Sequence, residues 1–244
     1  MIEREETTES TVFTALVATD LTTRIADQVL EAIQTGRLKP GEKIAEARLA
    51  RELGTSRAPV REALRLVESH GLVVSHPRRG FFVHAYDADE LADVYDLREC
   101  LELHAAQGAV DRLTPEALAR VGAQLALLVS LAEEGKTQKQ VEEDYALHRM
   151  FLEIAGNRRV LRTFDQIAME LRAGIALTGV VYENPKELAR SHEVLVEALR
   201  ARDAARLRVE LAEHLEDARH HVLALFRAGP AEAAAHATPS QLLR

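Results

Sequence analysis

Four side chains in the second half of the chain have the types and spacing of a metal centre. Asp144 and His148 stand four residues apart, so a helix carries both on one face, a carboxylate and an imidazole one turn apart. His192 and His214 fall in two later helical patterns, and antiparallel packing of those helices can bring them to the same interior point. Three nitrogens and one oxygen suit a divalent ion such as Zn, Ni or Mn, and the donor set does not choose among them. A different chemistry lies nearer the N-terminus. Arg57, Arg61 and Arg65 repeat every four residues and form a cationic stripe beside the apolar row of Val60, Leu64 and Val67. The planar guanidinium can grip guanine O6 and N7 or clasp a phosphate. Ser56 is placed to cap this helix, Pro59 sits in its first turn, and a second basic group, Arg78-Arg79-Gly80, follows in a turn.

These side chains need elements to hold them. From Leu21 the apolar residues Ile25, Val29, Leu30 and Ile33 keep helical spacing until Gly36 and Pro40-Gly41. A short second helix is predicted from Ile44 to Leu53, a turn at Gly54-Thr55, and a third helix from Arg57 to about His70. Leu72-Val73-Val74 and Phe81-Phe82-Val83 then flank the basic turn SHPRRG as a hairpin. The order predicts a winged helix-turn-helix over residues 18–85, whose third helix offers Arg57 and Arg61 to a major groove and whose wing offers Arg78 and Arg79 to a backbone or minor groove. Six amphipathic patterns follow at 88–111, 114–134, 137–156, 158–179, 185–201 and 203–228, with Asn157 read as a helix stop. They predict an antiparallel all-α bundle over 88–228 in a mainly α protein, with flexible tails at 1–17 and 229–244.

Composition narrows the function. The net charge is −8, which argues against nucleic acid if spread evenly, but residues 18–84 carry 11 Lys and Arg against 8 Asp and Glu, while 85–244 carry 19 against 27. A DNA-facing head and an acidic second domain fit that division. The single Cys100 excludes an internal disulfide framework, the acidic N-terminus lacks the basic region of a secretory signal, and no apolar run is seen that approaches the ~20 residues of a membrane span. A soluble, cytoplasmic protein is expected. A phosphate-binding Gly loop, a nucleophile elbow and a His-Glu-x-x-His pair are all missing, which weighs against an enzyme.

The stretch LKPGEKI, then LARELGTSRAPVREAL, then Gly71-Leu72-Val73 and Arg79-Gly80-Phe81-Phe82-Val83 resembles the GntR family of transcription regulators over essentially all of 20–84. The resemblance implies operator contacts from Arg57 and Arg61 and a wing glycine, Gly80, in the minor groove. Ala47 stands where some FadR-like members carry a further DNA-contacting arginine, so Arg48 is the candidate phosphate contact from the second helix. EDYALHRMFLEIAGNRRVL, SHEVLVEALRARD and LAEHLEDA are similar to the FCD ligand domain of FadR-like members, which implies metal binding by Asp144, His148, His192 and His214. VYDLRECLELHAA belongs to the same resemblance and puts Arg98 at a position often near the effector; a salt bridge to Glu102 is its other reading. His104, His220 and His221 match no pattern. The expectation is a homodimer that represses at a palindromic operator under control of a small carboxylate effector. Two alternatives stay open: a metal-stabilised dimerisation module with no effector, and a metal-dependent hydrolase.

Overall fold

Residues 20–178 and 184–236 are described by the structure, a computed structural model. The expected N-terminal tail, 1–17, and residues 237–244 of the C-terminal one lie outside them.

Two hydrophobic cores organise the chain. The first is built from α1 (Asp20–Gln34), α2 (Glu46–Glu52), α3 (Arg57–Ser69) and a three-stranded antiparallel sheet of β1 (Lys43–Ile44), β2 (Val73–His76) and β3 (Gly80–Val83), in the order β1-β3-β2. Ile25, Val29 and Ile33 of α1 meet Val60, Leu64 and Val67 of α3, and Ile44, Val73, Phe81 and Val83 close the core from the sheet. Ile44 was expected to open the second helix. Instead it pairs with Phe81 while Lys43 pairs with Phe82, so β1 seals the edge of the hairpin and the helix begins at Glu46. The wing is set by the register Val74 to Phe82 and His76 to Gly80, and its turn uses left-handed backbone at Arg78 (φ 64°) and Gly80 (φ 92°).

Among the described residues the second core belongs to seven helices: α4 (Ala88–Asp111), α5 (Pro115–Glu133), α6 (Thr137–Ala155), α7 (Arg158–Thr178), α8 (Pro185–Ser191), α9 (Glu193–Arg200) and α10 (Ala204–His236). α4 packs against α6, α7 and α10, and α5 against α6, α8 and α9. The starts are written in the sequence: Asp87 and Glu90 form a capping box on α4, and Thr114 and Asn184 cap α5 and α8. Gly156 ends α6 in the left-handed region, and Asn157, expected as a stop, instead accepts from the Arg159 and Val160 amides and opens α7. Two expectations are corrected. The helix expected over 185–201 breaks at His192, and α10 continues to His236, through residues 229–236 of the expected tail, because AEAAAH is strong helix former. α5 is also long and apolar enough by composition to cross a membrane, though it packs within the bundle.

The cores touch. α1 lies against α7, Met169 packs onto the first core, and Gln166 Nε2 donates to the Ser69 carbonyl (3.3 Å). Between α1, α6 and α7 lies a cavity of about 430 Å³, faced by Leu30 and Glu31 from α1 and by Tyr145 and Arg149 from α6.

Candidate metal centre and DNA-facing cleft

The bundle brings Asp144, His148, His192 and His214 to one buried point. His148 and His192 are fully buried, and Asp144 and His214 are 8% and 9% exposed. The ring nitrogens available from the three histidines lie within 4.8 Å of one another. His148 Nε2 stands 3.2 Å from His192 Nε2, which is 3.0 Å from Asp144 Oδ1. Ligand atoms bound at about 2.1 Å to one tetrahedral or octahedral ion sit roughly 3.0–3.4 Å apart, so these spacings fit a shared cation.

The surroundings fix which nitrogens face inward. His192 Nδ1 donates to the Leu188 carbonyl (2.9 Å), which can only accept, so Nε2 is the nitrogen turned to Asp144 and His148. His148 Nδ1 faces Glu102 Oε2 at 2.6 Å. Ser191 Oγ gives its single hydrogen to the Leu188 carbonyl (2.7 Å), so at 3.2 Å it accepts from His214 Nδ1. Each imidazole therefore turns its Nδ1 to an outer partner and keeps Nε2 for the interior, the arrangement that orients metal-bound histidine. The Nε2 atoms of His148 and His192 then face each other at 3.2 Å beside the Asp144 carboxylate, a cluster that a cation can bridge.

Electrostatics agree with this. Burial lowers the pKa of His148 against the opposing pull of Glu102, and burial together with the His192 and His148 rings takes His214 well below the usual imidazole value. Both are neutral, as ligation requires. Burial raises the pKa of Asp144, but His192, His148 and Arg98 outweigh it and hold the carboxylate ionised. The residues fit a divalent ion.

Arg98, 2% exposed, adopts the salt bridge: its Nε donates to Glu102 Oε1 (2.7 Å), and its guanidinium lies over the Tyr145 ring at 4.9 Å. Nη2 is buried with no hydrogen-bond partner, so the charge retains a free donor near Asp144.

The other arginines assemble outside. Arg57, Arg61, Arg65, Arg78, Arg79 and Gly80 all line one cleft of about 630 Å³ between α3 and the wing. Arg65 donates to Glu68 (2.6 Å) and Ser75 (3.1 Å) and lies over Phe81 at 5.2 Å, and Glu68 accepts from the Ser75 amide, so helix and wing are braced together. Arg61 reaches back to Glu46 at 2.8 Å. Two expected members stand apart: Arg48 on α2 pairs with Glu52 of the same helix and with Glu42 before β1, and Ser56 holds the N-cap position of α3 without a capping side-chain bond. Sequence reasoning missed Lys43, which lines the cleft because β1 joins the wing, and the orienting roles of Glu102 and Ser191.

Residues 21–83 match the model of the gntR family of bacterial regulatory proteins, and residues 93–217 match the FCD domain. The chain is 32% identical over 203 residues to the HTH-type transcriptional regulator McbR of Escherichia coli strain K12, covering 80% of this chain and 90% of that protein. It is 29% identical to the probable D-xylose utilization operon transcriptional repressor of Paenarthrobacter nicotinovorans, over 87% of this chain and 90% of the relative. The solved structure of E. coli McbR/YncC superposes with a TM-score of 0.72 at 25% identity, over 86% of this chain and 99% of that one. All are regulators, not enzymes.

Proposed function

The chain belongs to the GntR family, with an FCD domain after its helix-turn-helix, and from that premise we propose that this DNA-binding transcriptional regulator is a metal-dependent repressor responsive to a small organic acid. Asp144, His148, His192 and His214 hold a divalent ion, Zn, Ni or Mn; a carboxylate effector takes an open position on it and the free Nη2 of Arg98. Two copies present their α3 helices and wings to the half-sites of a palindromic operator, in the cytoplasm where the chromosome lies. Repression is supported by the P. nicotinovorans relative, a probable transcriptional repressor. The observation that carries the metal reading is the outward engagement of all three Nδ1 atoms, which leaves the Nε2 atoms to converge. A second reading keeps the ion but drops the effector: the bidding of Glu102 for Arg98 favours it.

Three measurements on the full chain test this. His192→Ala with His214→Ala should remove stoichiometric metal by elemental analysis, and full retention would refute the ligand set. Arg61→Ala should abolish the gel shift on a selected operator while the dimer persists. A melting temperature raised by carboxylic acids in the metal-loaded chain alone supports the effector, and no response to them supports the second reading.

A further inference from the structure

We propose that the groove between α8–α9 and α10 is the route by which a divalent cation reaches the histidine centre, with its carboxylates as the capture site and His214 as the first nitrogen to meet the ion. This rests on the metal reading above. The groove encloses about 440 Å³, and its lining includes Glu187 and Ser191 on one side and Glu210, Glu213, His214 and Asp217 on the other. The α10 residues follow the spacing i, i+3, i+4 and i+7, so one helix face carries three carboxylates around the imidazole. No Lys or Arg lines the groove, and neither Glu213 nor Asp217 has a cationic partner among the described residues. Glu210 alone pairs, with Arg206 at 3.3 Å.

The acidic face gains its meaning from what it surrounds. His214 is the one histidine of the three with any exposure, 9% against 0% for both others, and it is the one that lines the groove. Its Nδ1 is taken by Ser191, and its Nε2 has no hydrogen-bond partner among the described residues. The His214 ring thus borders the negatively charged cleft on its Nδ1 side, where Ser191 holds it, and turns its unpartnered Nε2 to the other two histidines. Carboxylate oxygens hold a hydrated ion weakly; three imidazoles and Asp144 then exchange for its water. A cleft of one sign raises the local concentration of its counter-ion and speeds capture by about 10-fold to 1000-fold, an effect that salt suppresses. A free carboxylate is repelled here, so the groove serves the ion and not an organic acid.

The test is the rate of metal uptake by the metal-free full chain, followed by stopped flow with Zn²⁺ alone, with the dissociation rate and the ions bound per chain measured alongside. In Glu213→Gln with Asp217→Asn, the association rate should fall about 10-fold at low ionic strength and converge on that of the unaltered chain at 1 M salt, with dissociation and stoichiometry unchanged. Asp89→Asn with Asp93→Asn makes the same charge change at exposed positions outside the groove, and should leave the rate within about 2-fold. If the double groove variant fails to fold, Glu213→Gln alone should still slow uptake about 3-fold. Uptake at the unaltered rate in a folded groove variant, or equal slowing in the control, overturns the route while leaving the metal reading intact. An unaltered chain that takes up no ion overturns both.

Discussion

Glu102 accepts from Arg98 Nε with one oxygen and holds His148 Nδ1 with the other, while only 1% exposed. Burial works against its ionisation, and His148 and Arg98 outweigh burial, so its pKa is lowered. A single carboxylate thereby neutralises a buried guanidinium and sets an imidazole tautomer. In Glu102→Gln the amide can donate to Nδ1, which shifts the ring hydrogen onto the nitrogen needed for metal. We expect metal affinity to drop about 10-fold to 100-fold by Zn²⁺ titration. Leaving Arg98 buried without its counter-charge should cost about 3 kcal/mol in denaturant unfolding. Unchanged affinity would show that Glu102 does not orient His148. Asp144 and His148 were legible as a pair because their relation is local, one turn of one helix. Glu102 was named only as the i+4 partner of Arg98; its contact with His148 spans 46 residues and leaves no periodic trace. Ser191 was invisible for another reason, since its role depends on a hydroxyl proton committed to Leu188.

Element boundaries show where a pattern of apolar residues stops being informative. The long helices α4 to α7 were readable because their caps and periods agree. β1 was not, because two residues carry no alternation and Ile44 also fits the first apolar position of a helix. The break at His192 was hidden because Leu188, Leu195 and Leu199 keep an apolar row going across it, whereas the cause is polar: side chains of Ser191 and His192 both donate to the Leu188 carbonyl. The joint after α3 tests how much such local geometry matters. Gly71 sits at φ +78°, its carbonyl accepts from Tyr86 Oη (2.8 Å), and a Cβ there would lie 2.8 Å from Glu170 Cδ on α7. Glu170 can swing aside, so the cost of Gly71→Ala is mainly left-handed backbone, about 1–2 kcal/mol. Denaturant unfolding should show this loss, and adding Glu170→Ala should recover little of it. Recovery of most of it would put the cost in the side-chain contact instead.

At the scale of the whole chain, stability and the ion are tied through protons. In the metal-free protein the folded pKa values of His148 and His214 lie below those of the unfolded chain. Their neutral burial costs nothing above about pH 6.5, and below it the unfolded chain takes up protons that the folded chain refuses. Stability should therefore fall as pH drops from about 6.5, by up to about 1.4 kcal/mol per pH unit for each histidine. Thermal melts of chelator-treated protein between pH 8 and 5 check this, and a flat melting temperature would contradict it. The helix that supplies Asp144 and His148 also presents Tyr145 and Arg149 to the cavity shared with α1, and α1 is packed on α3. The candidate metal site and the α3 face are thus separated by α6, the cavity beside α1, and α1 itself, which packs on both α7 and α3. Linkage makes any such connection symmetric: a metal that alters operator affinity by some factor has its own affinity altered by that same factor when DNA is bound. For a metal-dependent repressor of the kind proposed above, the operator would then act as an effector of the metal site, and the occupancy of the histidines in a cell would depend on how many operators are free as well as on how much metal is present.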